Sequence, residues 1–300
     1  MVEVQELSVC WNGQPALESV TLSIPMGSCF GLVGRYADGG ALLLRVLATL
    51  AKPTRGDAWV GGHSVRTAPQ QVRAQIGFAS AVPIMDEDLS CAEYLTLFAA
   101  CYRVPAFERA ALVDDLLALA ELTHWRDKPI KLLTPPMRKR LDLVRTLVND
   151  PPVLLLEEPL ALLDPRAQQE LQGLLRSLGD LGKTVVLTLP NLALAQGLCT
   201  HVALFNAGRL EAAGTTEVVL AQHPPLRVIL VRMLGDVSLA LSQLQNARGV
   251  VAVETPSSAA PAQTLKILRV RFDGGYAEAK ALLRQLQHSG IQLVSFEEER

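Results

Sequence analysis

Two adjacent carboxylates, Glu157 and Glu158, close an apolar run, Leu154-Leu-Leu156. Carboxylates at the end of a buried strand can hold a divalent cation or take a proton from water. A second candidate is the glycine-rich turn Gly34-Arg-Tyr-Ala-Asp-Gly39-Gly40-Ala41, between a strand-like run and a helix-like run. In such a turn backbone N–H groups can close on a phosphate at a helix N-terminus. The pattern that does so, Gly-x-x-x-x-Gly-Lys-[Ser/Thr], adds a lysine for the β- and γ-phosphates and a hydroxyl for Mg²⁺. Gly34 and Gly39 match its outer glycines, but Gly40 stands at its lysine and Ala41 at its hydroxyl. Taken alone, the segment reads equally as a plain turn. The five histidines, His63, His124, His201, His223 and His288, have no ligand spacing, and no metal site is expected from them. The five cysteines are odd in number, scattered and free of any Cys-x-x-Cys pair, which argues against a zinc site or a disulfide frame.

The elements that must position these groups alternate strands with helices. Cys29 to Gly34 reads as a strand and Ala41 to Leu50 as a helix. Leu112, Leu116, Leu119 and Ala120 share one helical face, as do Leu171, Leu174, Leu175 and Leu178. Val153-Leu-Leu-Leu156 has the all-apolar character of a strand buried on both sides of a parallel sheet, and Val185–Leu189 follows as another strand. The class is α/β with a largely parallel core. His223-Pro-Pro225 marks a boundary, so residues 1–224 and 225–300 are expected as separate domains. The second runs strand 226–232, helix 237–244, strand 250–254, a Pro/Ser/Ala loop 255–262, strand 265–272, helix 276–288 and strand 291–297. That order is βαββαβ, the ferredoxin-like plan.

Composition narrows the functions. Lys+Arg is 28 and Asp+Glu 30, for a net charge of −2. This leaves no electrostatic footprint for nucleic acid or an anionic lipid surface, and no nucleic-acid partner is expected. Hydrophobic residues reach 49% against 19% charged, which excludes disorder and points to surface covered by a partner. The uncharged stretch from Thr184 to Gly208 is long enough to span a bilayer. Pro190, Asn191, Gln196, His201 and Asn206 interrupt it, so it reads as buried strands around a loop and helix. The acidic start, Met1-Val-Glu-Val-Gln-Glu6, carries no apolar signal region, and a cytoplasmic location is expected.

With the glycine turn go Leu44-Arg-Val-Leu-Ala-Thr-Leu50, Pro53-Thr-Arg-Gly56, Asp86-Glu-Asp-Leu-Ser90, Arg138-Lys-Arg-Leu-Asp142, Leu154-Leu-Leu-Glu-Glu-Pro159 and Leu163-Asp164-Pro165. Over nearly its whole length the chain resembles the nucleotide-binding subunits of ABC transporters, most closely the ABC-2 exporter class of the daunorubicin-resistance type. The resemblance implies a P-loop NTPase-like ABC ATPase domain with a helical subdomain at about 82–148, followed by the small α+β domain. It places Trp11 where the family stacks adenine, Asp164 in the D-loop and Glu158 at the general-base position. It also implies an integral-membrane permease as partner, with the subunit peripheral on the inner face of the membrane.

Against the family pattern several positions differ. Beside Gly40 and Ala41, Ala37 replaces a loop glycine and Asp38 brings a carboxylate near the phosphate site. Ala81 stands at the Q-loop glutamine, and Leu133-Thr134-Pro135-Pro136-Met137 stands at the signature Leu-Ser-Gly-Gly-Gln. Pro190 stands at the switch histidine, and Glu157 at the Walker B aspartate. Proline has no N–H to give a γ-phosphate, yet Thr134 as N-cap with prolines in the first turn is a sound helix start. Each lost charged hydrogen bond removes about 1.5–3 kcal/mol, so three remove roughly 5–9. A micromolar site is worth only about 8 kcal/mol. The expected cofactor is therefore none or weak ATP, with Mg²⁺ only where ATP is bound, and Glu158 reads as a carboxylate capping nearby N–H groups. In the family, ATP lies between one chain's Walker A and the other's signature loop. A homodimer of this chain would hold two altered sites, and a competent sister subunit would still leave each site half-built. The leading reading is a non-hydrolysing structural or regulatory subunit of an ABC-2-type complex. The alternatives are an ATP-hydrolysing exporter subunit with unusual motifs, and a soluble binding module unconnected with transport.

Overall fold

The computed structural model describes residues 1–11, 13–223, 227–234, 237–245, 247, 250–254, 266–272, 276–289 and 291–298. They fall into two units, Met1–Ala221 and Gln222–Arg300. The first runs β1 (Val2–Trp11), β2 (Gln14–Ile24), β3 (Cys29–Val33), α1 (Gly40–Leu47), β4 (Arg55–Val60), β5 (His63–Ser64), α2 (Pro69–Ala74), β6 (Ile76–Ala79), α3 (Cys91–Cys101) and α4 (Arg109–Leu119). It continues with α5 (Pro135–Arg145), β7 (Val153–Leu156), α6 (Pro165–Asp180), β8 (Thr184–Leu189), β9 (His201–Asn206), β10 (Arg209–Thr215) and α7 (Thr216–Gln222).

Six strands form the main sheet in the order β10-β9-β3-β8-β7-β6. All its neighbours pair parallel except β10, which lies antiparallel on β9 at the edge. A second sheet, β2-β1-β4-β5, is antiparallel. The parallel strands are buried on both faces. Leu154 and Leu156 of β7 point into one core with α3–α6, and Val153 and Leu155 into another with α1 and the antiparallel sheet. That is why this strand is apolar at every position rather than alternating. Consecutive parallel strands end at the same edge, so the segments leaving β3, β6, β7 and β8 gather there.

Two local expectations change. The first helix covers Gly40–Leu47 rather than reaching Leu50. Thr49 takes the left-handed φ of +61°, which ends the helical path. In α4 the buried face is Val113, Leu116 and Leu117, continued by Ala120, while Leu119 turns to solvent. On α3, Tyr94 is core and Phe98 packs against the core, while Tyr102, just past the helix end, is exposed.

The second unit runs β11 (Arg227–Leu234), α8 (Val237–Gln245), β12 (Val250–Glu254), β13 (Lys266–Phe272), α9 (Tyr276–His288) and β14 (Gln292–Glu298). Its sheet order β12-β13-β11-β14, antiparallel throughout, is the ferredoxin-like arrangement. Ile229, Val231 and Met233 alternate into a core closed by Ala240, Leu244, Leu282 and Leu286 of the two helices. The loop expected at 255–262 lies outside the described residues. Among the described residues no helix is long and apolar enough to cross a membrane.

Burial pushes the Tyr94 phenol up to about 12 from 10.0, with the Arg145 charge opposing and Asp142 adding to the rise. Between those pH values the folded form keeps a proton that the unfolded chain releases. Stability therefore falls as pH rises through this window, by up to about 3 kcal/mol from this one group. Phenolate absorbance followed alongside circular dichroism checks it: one tyrosine is expected to ionise only as the fold is lost.

Candidate functional site

The carboxyl ends of β3, β6, β7 and β8 bring together most of the positions that the sequence singles out. Gly34 N–H donates to the Leu189 carbonyl (3.0 Å), which ties the start of the glycine turn to the end of β8 beside Pro190. Glu157 N–H donates to the Ala79 carbonyl (2.9 Å), next to the segment holding Ala81. Glu158 N–H donates to Thr188 Oγ1 (2.8 Å).

The turn from Gly34 to Gly39 is built around Asp38. Its carboxylate accepts Arg35 N–H (2.7 Å) and Arg35 Nε (3.2 Å), and Ala207 N–H lies at 3.5 Å. Burial works to raise this carboxyl, but the Arg35 side-chain and backbone hydrogen bonds, the Ala207 N–H and the Arg35 charge hold it below the usual carboxylate range. Asp38 is thus engaged within its own turn, and Arg35 supplies the offsetting charge. Gly39 closes the turn at φ +106°, where a Cβ would stand 2.5 Å from Leu17 Cδ2. Only glycine meets both conditions. At Gly40, by contrast, a Cβ would meet Leu32 Cβ at 3.4 Å, an ordinary contact. The backbone there accepts a Cβ. Ala41 is 6% exposed on the same first turn of α1.

Glu157 is 1% exposed and paired with Arg45, through Nη2 to Oε1 at 2.8 Å and Nε to Oε2 at 3.4 Å. Arg45 lies one helical turn beyond Ala41, on the same side of α1. Glu158 follows with the left-handed φ of +44°. The expectation that its carboxylate caps N–H groups is corrected. Among the described residues no N–H donates to that carboxylate; its own N–H and carbonyl carry the bonding. The carbonyl accepts from Lys139 Nζ at 3.2 Å, and the same ammonium donates to the Ala81 carbonyl. Burial pushes the Lys139 amine down, while the charges of Asp142, Glu158 and Glu157 oppose that shift.

Thr134, Pro135 and Pro136 open α5 in the N-cap, N1 and N2 positions. The Thr134 hydroxyl makes no capping bond. Pro136 at N2 has no N–H for a cap oxygen, and the helix has the extended N-cap backbone without the side-chain bond. Arg138 binds this entry to Glu87 and to the Leu133 and Lys131 carbonyls, away from the strand ends. Asp164 caps α6, its carboxylate accepting Arg166 and Ala167 N–H, both at 3.0 Å. The Trp11 backbone pairs with Gln14 at the end of β1, and its side chain lies outside the described residues. Sequence reasoning missed Arg45, Thr188 and Lys139. Arg45 had a local signal, its four-residue step from Ala41; Lys139 had none, because its partners are main-chain carbonyls in the segments after two separate strands.

A family profile described as ABC transporter matches residues 17–161. The "Daunorubicin resistance ATP-binding protein DrrA3" of Streptomyces coeruleorubidus is 33% identical over 235 residues, covering 78% of this chain and 74% of that protein. The "Nod factor export ATP-binding protein I" of Ralstonia nicotianae is 30% identical over 244 residues, covering 81% of this chain and 75% of that protein. Among solved structures, an ATP binding subunit of an ABC transporter aligns with TM-score 0.67 and 25% identity over 74% of this chain and 92% of its own. The cbiO1 subunit from Clostridium perfringens aligns with TM-score 0.68 and 25% identity over 74% of this chain and 90% of its own.

Proposed function

The chain belongs to the ABC transporter family as an ATP-binding subunit of the exporter type, and on that premise we propose that it is a cassette that does not hydrolyse ATP and acts as a structural or regulatory subunit. The observation that carries this reading is the start of α1. The turn is formed and the backbone at position 40 accepts a Cβ, yet no lysine and no hydroxyl stand at Gly40 and Ala41. The site residues do not fit Mg-ATP well. Glu157 is committed to Arg45, prolines open α5, and Ala81 and Pro190 offer no polar side chain. Asp164 is engaged as a helix cap.

Residues 1–224 serve on this reading as the ATPase-like domain, with about 82–148 as its helical subdomain and 225–300 as an accessory domain. The subunit is cytoplasmic and sits on the inner face of the membrane through an integral-membrane permease. It pairs with a second ABC subunit, a copy of itself or a competent sister. Ile84, Phe107 and Leu162, 92%, 84% and 93% exposed, are apolar surface of the kind such partners cover.

Titration calorimetry of the purified chain with Mg-ATP tests the reading. The expected affinity is weaker than about 1 mM, where the total binding free energy is about 4 kcal/mol. Micromolar binding overturns it. Glu158→Gln supplies an independent check. Phosphate release by the variant and by the unaltered chain is expected to equal the buffer blank. A turnover that this substitution abolishes would favour an ATP-hydrolysing subunit using the retained Glu158.

A further inference from the structure

In a loaded cassette the Walker B carboxylate faces Mg²⁺ and a nucleotide. Here the same edge of the sheet carries Glu157, almost wholly buried and paired with Arg45, and Glu158 beside it, whose main-chain carbonyl accepts from Lys139. A buried carboxylate left without a counter-charge is strongly destabilising. Arg45 answers Glu157 from α1, on the helix whose first turn lacks the lysine and hydroxyl of the family. Lys139, on α5, spans the Ala81 and Glu158 carbonyls. At the end of the same helix, Arg145 donates to the Phe78 carbonyl at 2.7 Å and pairs with Asp142. Four segments (α1, the end of β7, the segment after β6, and α5) are therefore joined by the chain's own cations.

We propose that Arg45 is the resident counter-cation of Glu157, and that Lys139, through the Ala81 and Glu158 carbonyls, holds α5 and the segment around Ala81 against the sheet with no ligand bound. The proposal rests on the non-hydrolysing reading. It makes the arrangement around α5 independent of ligand. In this cassette that arrangement is a fixed property rather than a nucleotide-driven state.

Melting temperature and hydrogen exchange of the full chain, with and without millimolar Mg²⁺, test it. The unaltered chain is expected to melt at the same temperature in both conditions. Arg45→Met is expected to melt several degrees lower and to regain part of that loss in Mg²⁺, because Glu157 then lacks its counter-charge. Lys139→Met is expected to speed exchange at 79–88 and 158–163 at least tenfold, with the β3 and β8 amides unchanged. Lys139→Arg, which keeps a cationic donor, is expected to restore most of the protection. An unaltered chain stabilised by Mg²⁺, an Arg45→Met variant indifferent to Mg²⁺, or a Lys139→Met variant with unchanged exchange would each overturn the proposal. If Arg45→Met does not fold, the two Lys139 variants decide. Micromolar Mg-ATP binding to the unaltered chain would remove the non-hydrolysing reading itself. Absent binding together with an indifferent Arg45→Met would remove only the counter-cation proposal.

Discussion

Replacing Gly40 by lysine and Ala41 by threonine together is expected to raise the Mg-ATP affinity of this chain by orders of magnitude. The backbone is already in place. Gly34, Gly39 and the capped Asp38 hold the turn, and α1 begins directly after it with Leu43 N–H bonded to the Gly39 carbonyl at 2.9 Å. The free N–H groups of that first turn point out of the helix end. A lysine Cβ at position 40 meets only Leu32, at contact distance. Two charged contacts of about 1.5–3 kcal/mol each correspond to roughly two to four decades in Kd. Calorimetry of the double variant checks this, and an unchanged isotherm would show that the backbone cradle itself is absent. Turnover is not expected to appear with binding, because Pro135, Pro136 and Pro190 remain as they are.

The largest stability effect is expected at Arg145. Its guanidinium pairs with Asp142 at 2.8 Å, donates to the Phe78 carbonyl at 2.7 Å and lies over the Phe98 ring at 5.0 Å from its centroid. Asp142 is 4% exposed; burial raises its carboxyl and the Arg145 charge opposes the rise. Arg145→Met keeps the packing over Phe98 but leaves a buried carboxylate and a carbonyl unpaired. Removing one partner of such a pair costs about 3–5 kcal/mol, on the order of 10 °C in melting temperature for a unit of this size. Chemical denaturation is the measurement, and a loss under about 1 kcal/mol would mean that Asp142 takes up a proton instead of remaining charged.

Much of the fold is local physics and can be read from the chain. Leu171, Leu175 and Leu178 fall on one face of α6 because the helical repeat puts them there, and all three are core. Val153–Leu156 is apolar at every position because both faces of its strand are covered. The second unit follows the expected element order, since each strand and helix carries its own period and turn residues. The failures lie at ends and faces. Leu119 keeps the helical spacing yet is exposed, because Val113, Leu116 and Leu117 already fill the interface that α4 presents. Thr134 has the right residue type for a cap and takes the N-cap place, but its hydroxyl makes no capping bond, and Pro136 removes one of the two N–H groups such a cap can use.

The candidate site divides in the same way. The residue types at Gly40, Ala41, Ala81, Pro135, Pro136 and Pro190 are fixed by sequence, and they alone determine that the lysine, hydroxyl, amide, glycine N–H groups and histidine of the family stand nowhere in these loops. Sequence also determines the α/β class and the family. Which charges meet was decided by the tertiary structure. Arg45 and Glu157 are 112 residues apart, and Lys139 is 58 residues from Ala81. They come together because parallel strands must end at one edge, where α1 begins and α5 passes. A buried carboxylate in that setting takes whichever cation the packing brings within reach, and spacing along the chain carries no record of that choice.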